Sequence, residues 1–416
     1  MKFKFLLTTG LIASAFAAEA QNANRGYAIT GDGTKDFMWM NIRQVDLSAG
    51  QVTKTIFDRT KSNYTITDVI SKKTSDQASG LSSNFSVPSQ YPTSTFVAAA
   101  AYDKRSDKLF FIPMRMGELR WLDMNIKNET PAFYSMPIPD YSPLASQDEA
   151  NNITRMVISA DGNGYAVTND GSHLYRFTTG KKHSVTDLGS LIDADENKGL
   201  SVHNKCSSWG GDIVADAIGN LYLFTATKSV YKINMENRIA TYLGGITGVS
   251  GTYSLNGAAV DQDDNVIICS ANTFEGFYKV NMKDLSATKI ITTGQIYNAS
   301  DLANGNLLFE SQVRNSVGVA PLIQREVIGN QFISIYPNPV FGSEFKITFE
   351  NKATGEYNVA LTDIQGKVIL SKQVFVKSAG QVETIQLKTQ RANGMYLIKV
   401  TNSSKKSVFA DKIVFE

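Results

Sequence analysis

One pattern recurs four times between residues 97 and 281 and restricts the chain more than any other feature. An apolar strand meets a tight Asp/Gly/Asn turn; a second apolar strand, a loop and a third strand carrying an aromatic residue follow. The copies run Val97 to Met114 with Leu119–Asp123, Met156 to Val167 with Leu174–Phe177, Asp212 to Phe224 with Val230–Asn234, and Gly257 to Cys269 with Phe277–Asn281. Trp121, Tyr175, Tyr231 and Tyr278 hold the same place in each copy, 54, 56 and 47 residues apart. A supersecondary unit repeated at such a period cannot bury its apolar faces alone and must stack on its neighbours. A four-stranded propeller blade of about 40–50 residues has this length.

A further copy is split between the two ends of the array. Asn298 to Phe309 reads as its first two strands, and Met38 to Phe57 as its later ones. Joining the halves closes a ring and removes exposed sheet edges. We therefore expect an all-β protein with a β-propeller of five or six blades. The sixth depends on Thr60 to Thr95, a Ser/Thr/Lys-rich stretch that reads more readily as a long surface excursion. An array of β-sandwiches is the competing architecture; the aromatic strand returning at one fixed position favours the ring. The abundance of turn-forming Gly (31) and strand-favouring Tyr (17) and Phe (22) agrees with an all-β chain.

The ends differ from the middle. Lys2 and Lys4 precede an apolar run from Phe5 to Ala17, too short to span a bilayer. Ala18-Glu19-Ala20 then offers a cleavage site before Gln21, with Ala15-Phe16-Ala17 as a second choice. This reads as a secretory signal peptide over residues 1–20. At the other end, about seven short alternating strands with Gly/Asn/Asp turns describe a small immunoglobulin-like β-sandwich over 333–416. The expected order is signal peptide 1–20, propeller 21–312, linker 313–332 and sandwich 333–416. The middle carries 28 basic against 31 acidic residues and the C-terminal unit 11 against 7. Neither shows the basic stripe that nucleic acid requires.

In the C-terminal unit, Tyr336-Pro337-Asn338-Pro339 is followed by the strand–turn–strand Leu361 to Val368 with Gly366 in its turn. Next comes the strand opened by Asn393-Gly394 and containing Tyr396, then the terminal Lys412-Ile413-Val414-Phe415. In order and position these resemble the type A C-terminal sorting domain of the type IX secretion system. The resemblance implies a Gram-negative host of the Bacteroidetes type, Sec export to the periplasm and passage across the outer membrane. Removal of the tag, with attachment to surface lipopolysaccharide or release, usually follows. By blade pattern only, the middle resembles the extracellular NHL/WD-like propellers; it has neither a Gly-His nor a Trp-Asp signature.

Propellers bind at the channel mouth, where the loops entering each innermost strand meet the loops between second and third strands. The entering positions include Thr95, Arg155, Trp209, Asp212, Asn256, Asn298 and Asp301. The other loops are Arg115-Met116-Gly117, Asn169-Asp170-Gly171, Thr227-Lys228 and Asn272 to Glu275. We take Arg155, Trp209, Asp212, Asn256, Asn298 and Asp301 as ligand-binding candidates. An indole face with amides and charges suits a sugar or peptide; the same residues can instead satisfy strand ends. The loop Cys206 to Asp212 stands out because two glycines flank the tryptophan on one side and let the backbone approach a neighbour closely.

Other chemistry has weaker support. Cys206 and Cys269 sit in adjacent copies, and an oxidising compartment permits a disulfide, yet Cys269 lies in an apolar run. His203 and Cys206 are too few ligands for zinc. Asp193 to Gly199 begins like a calcium loop, but Lys198 occupies the glycine position and Asn204 the bidentate glutamate position. No cofactor is expected, with calcium the one alternative. Motifs for serine hydrolases, zinc proteases, P-loops and dinucleotide binding are absent. The expected function is that of a secreted or cell-surface binding protein whose propeller holds a glycan, peptide or protein partner. The alternatives are a polysaccharide hydrolase or lyase using Asp212, Asp301 or Asp170, and a surface scaffold.

Overall fold

A computed structural model describes residues 23–33, 37–77, 91–125, 130–142, 149–180, 182–310, 333–350, 354–363, 367–387 and 393–415. The expected signal peptide, the expected linker and Gly366 lie outside the described residues.

Among the described residues, five sheets precede residue 310. Their innermost strands are Val97–Asp103, Ile153–Ile158, Asp212–Ala215, Gly257–Val260 and Ala299–Ala303. Each packs beside the next, and Ala299–Ala303 packs against Val97–Asp103, so the sheets form a closed, propeller-like ring. We number the sheets from the closing one. In that first sheet, Ala299–Ala303 pairs with Arg25–Thr30, which pairs with Asn41–Asp46 and then Gln51–Phe57. The closing strand thus comes from the end of the array and the other three from its start. The expected split of the copy is corrected: the C-terminal part contributes one strand, and Arg25–Thr30, which begins before the residues assigned to that copy, is the second. Alternation in RGYAIT is blurred because both of its faces are covered.

The stretch after Thr60 is neither a sixth sheet nor only a loop. Tyr64–Asp68 and Thr74–Gln77 extend the outer edge of the second sheet, the former parallel to Ala132–Pro137. The four repeat copies form the other sheets. Their aromatic residues Trp121, Tyr175, Tyr231 and Tyr278 are all buried on third strands. Each sits where a large ring fills the wedge that opens between sheets away from the axis. On the axis, small residues take over. Ala100, Ala101, Val157, Val214, Ala258, Ala259, Leu302 and Ala303 line a cavity of about 10 Å³, at the lower limit for one water.

The C-terminal unit has two sheets. Ile333–Tyr336, Glu344–Phe349 and Gln381–Gln386 form one; Val368–Val376, Gly355–Asp363, Gly394–Asn402 and Ser407–Phe415 form the other. Alternate residues from both, including Ile335, Phe345, Ile347, Val359, Leu361, Ile398 and Phe415, share one core.

Candidate functional site at the channel mouth

The structure gives the predicted mouth residues internal partners except Asp301, whose two carboxylate oxygens are buried without a hydrogen-bond donor. Arg155, on the third sheet, is fully buried. Its Nη2 donates to Ser208 O at 2.6 Å and Gly210 O at 2.8 Å, Nε to Gly210 O at 3.0 Å, and Nη1 to Thr168 O at 3.0 Å and Asn169 O at 3.3 Å. Burial pushes its pKa down to about 10, opposed by Asp212 and Asp170, so the guanidinium stays charged at neutral pH. The glycine-flanked loop is held from both sides, since Asn169 Oδ1 accepts from Gly210 N at 2.7 Å. Gly211 is obligatory: at φ +86° an added Cβ would stand 1.8 Å from Phe224 O. Trp209 is half-buried, donates from Nε1 to His203 O at 3.3 Å and lies under Lys205 Nζ at 4.8 Å.

Asp212 and Asp301 are brought together at the axis, both fully buried. Asp212 accepts from Ile213 N at 2.8 Å and across sheets from Ala258 N at 2.7 Å. Burial raises its pKa well above the carboxylate range, against the pull of those amides and Arg155. Asp301 is raised the same way, first by burial and then by the charge of Asp212, with the Ala100 amide opposing. Two like charges in a dry site favour a pair holding a proton opposite Arg155. Cys269 lies beside them, its Sγ 3.4 Å from Ala299 O, and burial lifts its thiol too. Asn256 Oδ1 accepts from Ala271 N at 3.0 Å, and Asn298 Nδ2 donates to Ala271 O at 2.8 Å. Asn298 thereby fastens the first sheet to the fifth, while the Asn256 bond stays within the fifth sheet. Asp170 is engaged as well, accepting from Thr168 Oγ1 and Ser172 Oγ, each at 2.8 Å.

What faces outward at the same end is aromatic. Phe37, 49 % exposed, sits in the loop between the second and third strands of the first sheet. Its ring centre is 6.1 Å from Trp39 and 6.0 Å from Phe274, which lies in the corresponding loop of the fifth sheet. Trp39 is 6.0 Å from Phe96, in the loop entering the second sheet. The edge-to-face angles, 64° to 72°, are those of favourable ring contacts. Beside them Arg43 lies 4.2 Å over Tyr297, and Asn272 and Gln295 are exposed. Sequence reasoning flagged the loop of Phe274 but missed Phe37, Trp39 and Phe96. The signal was present in Phe37-Met38-Trp39-Met40, an apolar run in a position a loop should occupy.

The remaining motifs are engaged in internal contacts. Cys206 is exposed and Cys269 buried, and both are free thiols, so the disulfide left open by the sequence does not form. His203 points Nδ1 at Asp170 O (2.7 Å) and Nε2 at Leu191 O (3.2 Å), with no nitrogen turned to a metal. In the calcium-like loop, Asp193 Oδ1 accepts from Val202 N at 2.8 Å and Asn197 bridges Ala240 O and Tyr242 N. Among the described residues no three His, Cys, Asp or Glu side chains are grouped to hold a metal.

At the far end of the chain, Tyr336, Gly394, Tyr396 and Lys412 fall on strands of the two-sheet unit, and Pro337-Asn338-Pro339 leaves the first of them. Asn338 caps the last strand: its Nδ2 donates to Lys412 O at 2.9 Å, and its Oδ1 accepts from Val414 N at 2.9 Å. Residues 334–416 match the family model of the secretion system C-terminal sorting domain. This sorting domain directs the chain through the type IX secretion system to the cell surface or extracellular space. No curated protein matches the chain. Among solved structures it is similar to PorZ, an essential surface component of the type IX secretion system of Porphyromonas gingivalis. The identity is 13 %, over 94 % of this chain and 51 % of that one, with a TM-score of 0.31, so the chain spans about half of PorZ. A streptogramin B lyase matches at 11 % identity over 86 % of this chain and 85 % of its own, with a TM-score of 0.33. Virginiamycin B lyase from Staphylococcus aureus matches at 10 % over 94 % and 95 %, with a TM-score of 0.32.

Proposed function

We propose that this is a non-enzymatic binding protein of the cell surface or secreted fraction: a five-bladed β-propeller followed by an immunoglobulin-like sorting sandwich. The propeller holds an extracellular glycan on the aromatic cluster at its mouth. The observation that carries this reading is the exposed Phe37 ring, supported by Trp39 and Phe274. An apolar ring face stacks on the C–H face of a sugar, while nearby amides such as Asn272 and Gln295 supply directional hydrogen bonds. A hydrolase reading gains nothing from Asp212 and Asp301, which lie beneath the mouth without solvent access. Glycan-array binding of the mature chain, followed by titration, tests the proposal. Saturable binding that weakens about tenfold in Phe37→Ala and in Phe274→Ala supports it. Binding unchanged in both variants, capture of proteins but no glycan, or new products from the glycan overturns it.

A further inference from the structure

The three-stranded sheet of the sorting domain should be polar and wet on its outer face, because its alternate residues already fill the core. It is polar but not wet. Tyr336, Lys346 and Thr384 stand opposite one another in a single cross-strand row. Tyr336 is 4 % exposed, Lys346 7 % and, one row on, Thr348 0 %. On the opposite sheet the outward residues Val368 and Phe375 are 57 % and 53 % exposed.

The cover is the flank of the propeller. Glu236, in the turn after the third strand of the fourth sheet, accepts from Thr384 N at 3.2 Å and from Thr384 Oγ1 at 2.6 Å. Gly219, in the first hairpin of that sheet, faces the Tyr336 ring so closely that an added Cβ would meet it at 2.6 Å. Asn163 of the third sheet donates to Glu350 at 3.3 Å, and Leu188 and Arg176 lie against Gly380. The seat carries charge of both signs: Asp216 and Glu236 offset the loss that burial imposes on the Lys346 ammonium, Lys232 adds to it, and Arg176 lies against Gly380. The charges of the two units, net negative in the propeller and net positive in the sorting domain, are complementary. A cleft of about 1010 Å³ runs alongside, lined by Lys232 and Asn234 on one wall and Ser371 and Lys372 on the other.

We infer that this sheet is an intramolecular docking face, and that Tyr336 of the export motif binds its own cargo. The propeller flank formed by the third and fourth sheets is the receptor. Tyr336 is thereby covered while the sorting domain is attached, and the four-stranded sheet is the face left to the secretion machinery. Removal of the sorting domain uncovers a charged seat in which Asp161, Asp216 and Glu236 stand beside Arg176 and Lys232.

Hydrogen–deuterium exchange on the mature full-length chain tests this. Glu236→Ala removes both bonds to Thr384 from the cargo side without touching the sorting-domain core. Amides of Tyr336, Lys346 and Thr384 are expected to exchange about tenfold faster, and those of Val359 and Ile398 to keep their protection. Gly219→Val, which blocks the Tyr336 ring, should do the same. A second readout does not depend on destabilisation. In a Cys206→Ser background, Glu236→Cys with Thr384→Cys should be joined by a short bis-maleimide, and the two halves should stay linked after proteolysis between 311 and 332. Unchanged exchange in both single variants, or failure of the paired cysteines to cross-link, overturns the inference.

Discussion

Replacing Arg155 by methionine measures how much of the ring is held by one side chain. Its guanidinium makes five N–H···O contacts to four carbonyls from two sheets, all at 3.3 Å or less, in a site without solvent. Methionine keeps most of the volume and removes every donor. The carbonyls of Thr168, Asn169, Ser208 and Gly210 lose these donors, and Asp212 loses its opposing charge. An unsatisfied buried acceptor costs about 1–3 kcal/mol, but the four share one partner and relax together. We therefore expect Arg155→Met to cost about 3 kcal/mol, the upper end of that range. Arg155→Lys keeps the charge on one nitrogen that cannot span both sheets, and should lie between methionine and wild type. The assay is guanidinium chloride unfolding of residues 21–416 followed by tryptophan fluorescence, since Trp209 sits between two of the carbonyls concerned. A methionine variant within about 1 kcal/mol of wild type, with its emission unchanged, would falsify the idea that Arg155 locks this loop.

Three further outcomes follow from the interior. The folded-state pKa values of Asp212 and Asp301 are raised, so the folded protein holds more protons than the unfolded chain; their contribution to stability is full below the ordinary aspartate pKa and is lost as pH rises through the folded values. Asp301→Asn should flatten that loss in melting curves from acidic to alkaline pH, and an unchanged slope would refute it. Ellman's reagent should titrate Cys206 alone in the native chain and both thiols after denaturation, because burial keeps Cys269 protonated and covered; labelling of both, or of neither, in the native protein contradicts this. Gly211→Ala should cost about 2 kcal/mol or more in chemical unfolding, from a forbidden φ and a clash with Phe224 O; a neutral effect would show that the loop adapts.

The ring was legible because its signals are local. Alternation, tight turns and the returning aromatic at Trp121, Tyr175, Tyr231 and Tyr278 need only a few residues each. The second strand of the closing sheet, Arg25–Thr30, was not, since a strand covered on both faces loses the period of two. The stretch after Thr60 was misread because its parallel pairing with Ala132–Pro137 joins segments too far apart for any hairpin signal. Arg155, Asp212, Asn256 and Asn298 were expected to face a ligand at the mouth; in the structure Arg155, Asp212 and Asn298 hydrogen-bond to neighbouring sheets and Asn256 within its own. The exposed Phe37 ring, with Trp39 and Phe96 half-buried against the core behind it, went unnoticed because apolar residues read as core.

Sequence alone determined the strand content, the repeat and the export tag, each written in short-range pattern and turn chemistry. Only the tertiary structure decided which polar groups were free. A side chain at the mouth is a ligand or a rivet according to the carbonyls and amides that the next sheet brings within hydrogen-bonding distance. For Asp212 that partner is Ala258, on the next sheet and 46 residues along the chain. The same holds for Tyr336, whose place on a strand follows from alternation while its burial depends on Gly219, far along the chain, having no side chain to exclude it.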